Sequence, residues 1–261
     1  MARRAGEGTS GERAPSRLRA VGSAPARRPA RAADAVGRVA APRVRAPRPR
    51  ARRVPSIVRD ELAALGTEKL TAHLEARLAE AARAYERDRY YEAQAILREM
   101  ARATPGVAAV RELCGLTLYR LGNWKAALRE LRAFGDLTGS ADQLPVVADC
   151  ERALGRHARV TEIWSELRSA GAGSDVLAEG RLVMAGSLAD RGRIDEAIAL
   201  LAPAASRNVR GPHERHVRQW YLLADLYERS GDVPRAREFF QRVVRTDPEL
   251  SDAAERLAGL R

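Results

Sequence analysis

The stretch from residue 217 to residue 248 constrains this chain more than any other. Trp220, Leu223, Ala224 and Tyr227 recur at intervals of three, one and three residues, so they line one stripe of a helix. Ser230-Gly231-Asp232 breaks the pattern, after which Ala236, Phe240 and Val243 line a stripe of a second helix, and Asp247-Pro248 closes it. Two antiparallel helices joined by so tight a turn approach closely only where facing side chains are small, as Ala224 and Ala236 are. Asp232 is placed to cap the second helix, and Pro234 sits in its first turn, where a missing N–H costs nothing. One such pair cannot bury its own apolar face. Others must stack against it.

The turn recurs upstream. Gly122, Gly155, Gly192 and Gly231 follow one another at 33, 37 and 39 residues, and Asp88 precedes Gly122 by 34. Around these turns the same slots fill again: Ala93 and Leu97; Cys114, Gly115, Leu118, Ala127, Leu131 and Phe134; Ala148, Val160, Trp164 and Leu167; Ala185, Leu188, Ala197 and Leu201. The pattern W-x2-L-(G/A)-x2-Y, A-x3-F and a terminal Pro resembles the tetratricopeptide repeat. The resemblance covers roughly residues 68–261 and is sharpest in the last unit. The run at residues 144–155, behind an Arg/Pro-rich tail, also resembles tetratricopeptide-repeat proteins of actinobacteria. The resemblance implies an all-α chain: a right-handed α-solenoid of about five helix pairs over residues 56–261. A polar-faced helix over 249–260 is expected to cap it.

Residues 1–55 read differently. They hold 15 arginines, no lysine, three acidic residues, seven prolines and no aromatic residue, so they carry the whole formal charge of +12. With nothing bulky to bury, such a segment is expected to be disordered. Arg43, Arg45, Arg48, Arg50, Arg52 and Arg53 make it a candidate arm for RNA, the ribosome or another polyanion. The absence of interleaved aromatic rings points to non-specific, salt-sensitive binding. The remaining residues balance at 31 basic and 31 acidic groups.

Catalytic patterns are missing from the sequence. It has no phosphate-cradling glycine loop and no nucleophile elbow. His213 and His216 share a helix face without a third ligand, so no metal or cofactor is expected. Cys114 fills an apolar slot, and Cys150 lies between Asp149 and Glu151, whose charges disfavour a thiolate. No apolar run is long enough to span a membrane, and no Sec-type apolar segment follows the N-terminal arginines, so a cytoplasmic location is expected. The expectation is a non-enzymatic scaffold that binds a protein or peptide, with self-association through an end unit left open.

In tetratricopeptide arrays the first helices of the pairs line a concave groove. By that resemblance the groove residues here are Glu112, Tyr119, Arg120, Asp149, Arg152, Arg218, Tyr221 and Asp225. Tyrosine and arginine are the side chains that most often anchor interfaces. The Lys/Asn/Arg clamp by which one subclass grips terminal carboxylates is absent, since its positions fall on residues such as Leu78, Ala82, Leu113, Asp142 and Val146.

Overall fold

The turn that joins each pair of helices sets the architecture. In a computed structural model, which describes residues 56–205, 211–248 and 252–260, the five turns share one backbone geometry. Arg89, Asn123, Arg156, Arg193 and Asp232 each donate their backbone N–H to the carbonyl five residues back, at 2.9–3.0 Å. The residue before each donates to the carbonyl three back, at 2.9–3.1 Å. These two bonds satisfy carbonyls that a helix end would otherwise leave bare. They require a left-handed residue, and Gly122, Gly155, Gly192 and Gly231 supply it at φ between 73° and 84°. In the first unit Asp88 takes the same position at φ 58°.

Twelve helices are present among the described residues, and no strand. α1 (Ser56–Ala63) precedes five pairs: α2 (Glu68–Glu86) with α3 (Tyr90–Ala103), α4 (Ala108–Arg120) with α5 (Trp124–Thr138), and α6 (Leu144–Ala153) with α7 (His157–Ser169). α8 (Ser174–Asp190) with α9 (Ile194–Ala205), and α10 (Glu214–Ser230) with α11 (Val233–Thr246), complete the series. α12 (Ala253–Gly259) packs on α11. Each helix touches its successor, and each first helix also touches the first helix of the next pair. This is the neighbour pattern of a stacked helical repeat.

The expected slots are the core. Ala81, Gly115, Ala148, Ala185 and Ala224 occupy the close approach on the first helices, and Ala93, Ala127, Val160, Ala197 and Ala236 on the second, all buried. Leu97, Leu131, Leu201 and Phe240 fill the space beyond them. Asp232 caps α11 by accepting from the Arg235 N–H at 3.1 Å. The expected capping helix is shorter than its sequence suggested. It begins at Ala253, one residue after Asp252, and residues 249–251 lie outside the described set. So do residues 1–55, with the six candidate arginines of the tail.

Gly115 marks the tightest contact in the second unit. A Cβ there would fall 2.6 Å from both Cγ and Cδ2 of Leu131 and 3.2 Å from its backbone nitrogen. Gly135, inside α5, has nothing within 4 Å of the same position. The two glycines therefore predict opposite outcomes. Gly115→Ala should destabilise by about 1–3 kcal/mol through overpacking. Gly135→Ala should stabilise by up to about 1 kcal/mol through helix propensity. Urea unfolding of the two variants checks the pair, and the same sign for both would contradict this packing.

Candidate protein-interaction face

Arg218, Tyr221, Asp225 and Glu228 follow one another at three, four and three residues, so they share one stripe of α10 beside the apolar one. Corresponding stripes on α4, α6 and α8 carry Glu112 and Tyr119, Asp149 and Arg152, and Glu179. Where first helices lie side by side, these stripes meet. The side chains bond from one unit to the next.

Between α4 and α6, Gln143 Nε2 donates to Glu112 Oε1 at 2.7 Å. Below it the Tyr119 hydroxyl donates to Asp149 Oδ2 at 2.6 Å. Asp149 also accepts from Arg152 Nε at 2.8 Å, and Arg152 Nη1 crosses to Asp190 Oδ2 on α8 at 3.0 Å. Next, Arg218 Nη1 on α10 donates to Glu179 Oε1 on α8 at 2.6 Å. At the last step the Tyr221 hydroxyl donates to Asp252 Oδ1 at 2.5 Å. Arg256 of α12 reaches Asp225 Oδ1 at 2.8 Å and Glu228 Oε2 at 3.0 Å. Seven of the eight candidates thus belong to one ladder.

Arg120 is the exception. It turns to the first unit, with its guanidinium 4.6 Å from the centre of the Tyr90 ring and 3.4 Å from Asp88 Oδ1. Within the ladder, Asp149, Arg152 and Tyr221 are buried, whereas Glu112, Tyr119, Arg218 and Asp225 keep part of their surface in solvent. The sequence reading missed Gln143, Glu179, Asp190, Glu228, Asp252 and Arg256. A usable signal existed: the bonds between units join complementary polar side chains one repeat apart, at separations of 28 to 39 residues.

Burial shapes the electrostatics. It pushes the Tyr119 phenol well above its ordinary range, and the Asp149 charge adds to the effect, so the hydroxyl remains a donor. For Arg152 burial works against the charge, but Asp149 and Asp190 outweigh it and hold the guanidinium above its usual range. Burial raises Glu179 despite the pull of Arg218. Arg218 Nε is covered and finds no acceptor among the described residues, a cost of about 1–3 kcal/mol that its Glu179 bond must offset.

One further acid lies off this ladder. Glu151 stands in the slot that Tyr227 and Leu188 fill elsewhere, only 1% exposed, and is held by Arg132 of α5 and by Arg156 Nη1 at 3.0 Å. Such a charge is tolerated because both oxygens are bound by cations whose other faces are wet. The thiols are packing groups. Burial, reinforced by Glu130, pushes Cys114 up to about 11, and burial with Asp149 and Glu151 raises Cys150. His213 and His216 cap the start of α10: the His213 N–H donates to His216 Nδ1 at 3.0 Å, and the His216 N–H to the His213 carbonyl at 2.9 Å.

A family model described as Tetratricopeptide repeat matches residues 182–251, the region where the repeat pattern is clearest. Among solved structures, the thermophilic TPR protein TTC0263 of Thermus thermophilus superimposes with a TM-score of 0.55 at 19% identity. That match covers 72% of this chain and 98% of the other. The fold is a tetratricopeptide-repeat fold. A second structure, YrrB, described as a TPR protein with an unusual peptide-binding site, aligns at 15% identity with a TM-score of 0.45, over 69% of this chain and 91% of that one. No curated protein matches the sequence. No helix among the described residues is long and apolar enough to cross a membrane.

Two predictions come from this geometry. Arg152→Ala leaves Asp149 buried without its cation and should cost about 3–5 kcal/mol, whereas Tyr119→Phe should cost about 1–3 kcal/mol. Chemical denaturation checks both, and an Arg152→Ala cost below about 1 kcal/mol would remove the ladder as a structural element. The second concerns the histidine cap. Burial and then Arg215 lower the His216 pKa below its ordinary value. The unfolded chain therefore binds the proton more readily, so the cap's contribution is present above the unfolded pKa of about 6.5 and is lost as pH falls below it. An NMR titration should place the His216 midpoint below that value, with the first amides of α10 losing exchange protection in acid. A midpoint above it would contradict the cap.

Proposed function

We propose that this chain is a non-enzymatic interaction scaffold of the cytoplasm, holding a protein or peptide partner along the stripe of its first helices. The observation that carries this reading is the continuity of the ladder. One polar stripe runs from α4 to α12, its side chains fixed by bonds to neighbouring units before any partner arrives. Side chains already ordered lose little entropy on binding. In this reading the partly exposed Glu112, Tyr119, Arg218 and Asp225 contact the partner, with Arg120 at the turn edge. The buried Asp149, Arg152 and Tyr221 hold them in place. The sequence offers no arrangement for catalysis, and cofactor or metal plays no part in the proposal.

A second reading rests on the charge distribution. All of the formal +12 is carried by residues 1–55, a density suited to tethering RNA, the ribosome or another polyanion. The two readings separate by site and by salt. Capture from native cytosol should be run with the full chain, with Glu112→Ala/Arg120→Ala, and with Arg43, Arg45, Arg48, Arg50, Arg52 and Arg53 all changed to Gln. The scaffold reading expects defined proteins that survive high salt, are lost with the helix-face variant and are kept with the tail variant. Nucleic acid that washes off in salt and disappears only with the tail variant would replace it with the tether.

A further inference from the structure

An open cavity of about 370 Å³ lies between α3, α4 and α5, on the side of α4 that faces the second helices. It exists because two slots are underfilled. Arg111 and Cys114 stand eleven and eight residues before Gly122, as Trp220 and Leu223 stand before Gly231. In the last unit the Trp220 indole fills this space and donates Nε1–H to the Ala205 carbonyl of α9 at 3.0 Å. In the second unit a thiol and an extended guanidinium leave the space open, floored by Cys114 and Leu118.

Its walls are cationic. Arg98, Arg102, Arg111 and Arg129 line it with one carboxylate, Glu130. Glu130 is already shared: Arg111 Nη1 donates to Oε2 at 2.6 Å, and Arg129 Nη2 and Nε donate to Oε1 at 2.9 and 3.0 Å. Arg98 and Arg102, one helical turn apart on α3, are exposed and make no hydrogen bond or ion pair with any described residue. An apolar floor beneath unneutralised guanidinium groups selects an occupant with an apolar side chain flanked by carboxylates. The chain's own N-terminal segment, at +12, has the wrong sign.

The geometry points to a second peptide site, separate from the ladder, which takes an acidic segment with one aliphatic side chain anchored between α3 and α4. The aliphatic side chain takes the place that the Trp220 ring occupies in the last unit, and its flanking carboxylates take bidentate bonds from Arg98 and Arg102. This site stands or falls independently of the first-helix stripe.

The test uses the full chain and two labelled acidic pentapeptides of identical charge, one with leucine at its centre and one with glycine. Any capture by the basic N-terminal segment depends on charge alone and is the same for both. The site should favour the leucine peptide by roughly tenfold or more, the difference that burying such a side chain makes. Arg98→Glu/Arg102→Glu should erase that preference, since neither arginine bonds within the protein. Cys114→Leu, which gives this slot the side chain that Leu223 provides in the last unit, should erase it by filling the floor. Equal binding of the two peptides to the unmodified chain would overturn the proposal, as would a preference that persists in either variant.

Discussion

The left-handed residue between the paired helices is the constraint on which the rest depends. Two carbonyls at the end of each first helix are satisfied only when the chain reverses within three residues, and that reversal fixes where the second helix starts. Once the start is fixed, the position seven residues before the turn faces the position five residues after it. No large side chain fits both, so Ala81, Gly115, Ala148, Ala185 and Ala224 are dictated by the turn rather than by helix propensity. Gly115 shows the limit of the demand, for even a methyl group there meets Leu131. Asp88 shows that the position tolerates an exception where a short polar side chain gains bonds, here from Tyr90 and Arg120.

Apolar burial is non-directional, so it opposes a slide of one stacked helix along another less sharply than paired polar groups do. The ladder supplies those groups. Arg152 lies between Asp149 of its own helix and Asp190 of the next, and a shift by one turn would strand a buried charge. Buried ion pairs add little net stability compared with well-packed apolar groups, but breaking them is expensive. Their effect is to penalise wrong registers. The same logic accounts for Glu151, where an acid in an apolar slot ties α6 to α5 through Arg132.

The helix pairs were legible in the sequence because their cause is local. Glycine spacing, small residues at fixed offsets and the Asp232 cap each depend on a few consecutive residues, and α2, α10 and α11 lie where the pattern put them. The face was legible in part. Periodicity placed Tyr119, Asp149 and Arg152 on first helices, but their partners depend on how one unit is rotated against the next. That rotation is a property of the stack, and the unequal separations of 30 and 38 residues for Tyr119–Asp149 and Arg152–Asp190 hide it from a fixed period. The C-terminal helix was overextended for a simpler reason. A polar-faced pattern has no apolar break to mark where it begins, and Asp252 is bonded to Tyr221 before the helix starts.

Repeats that follow their pattern closely are filled, and filled slots hold no chemistry. In the last unit Trp220, Leu223, Tyr227 and Phe240 are all buried against neighbours, so its apolar side is spent on stability. The second and third units depart from the pattern at Arg111, Cys114 and Glu151, and each departure puts a charge or a void where a core side chain would stand. Every such departure gives up packing free energy, so it persists only if the stack as a whole can carry the loss. A stack can, because each unit is supported from both sides. The units that depart from the repeat are therefore where this fold has room to vary, and the unit that follows it most closely is what allows them to depart.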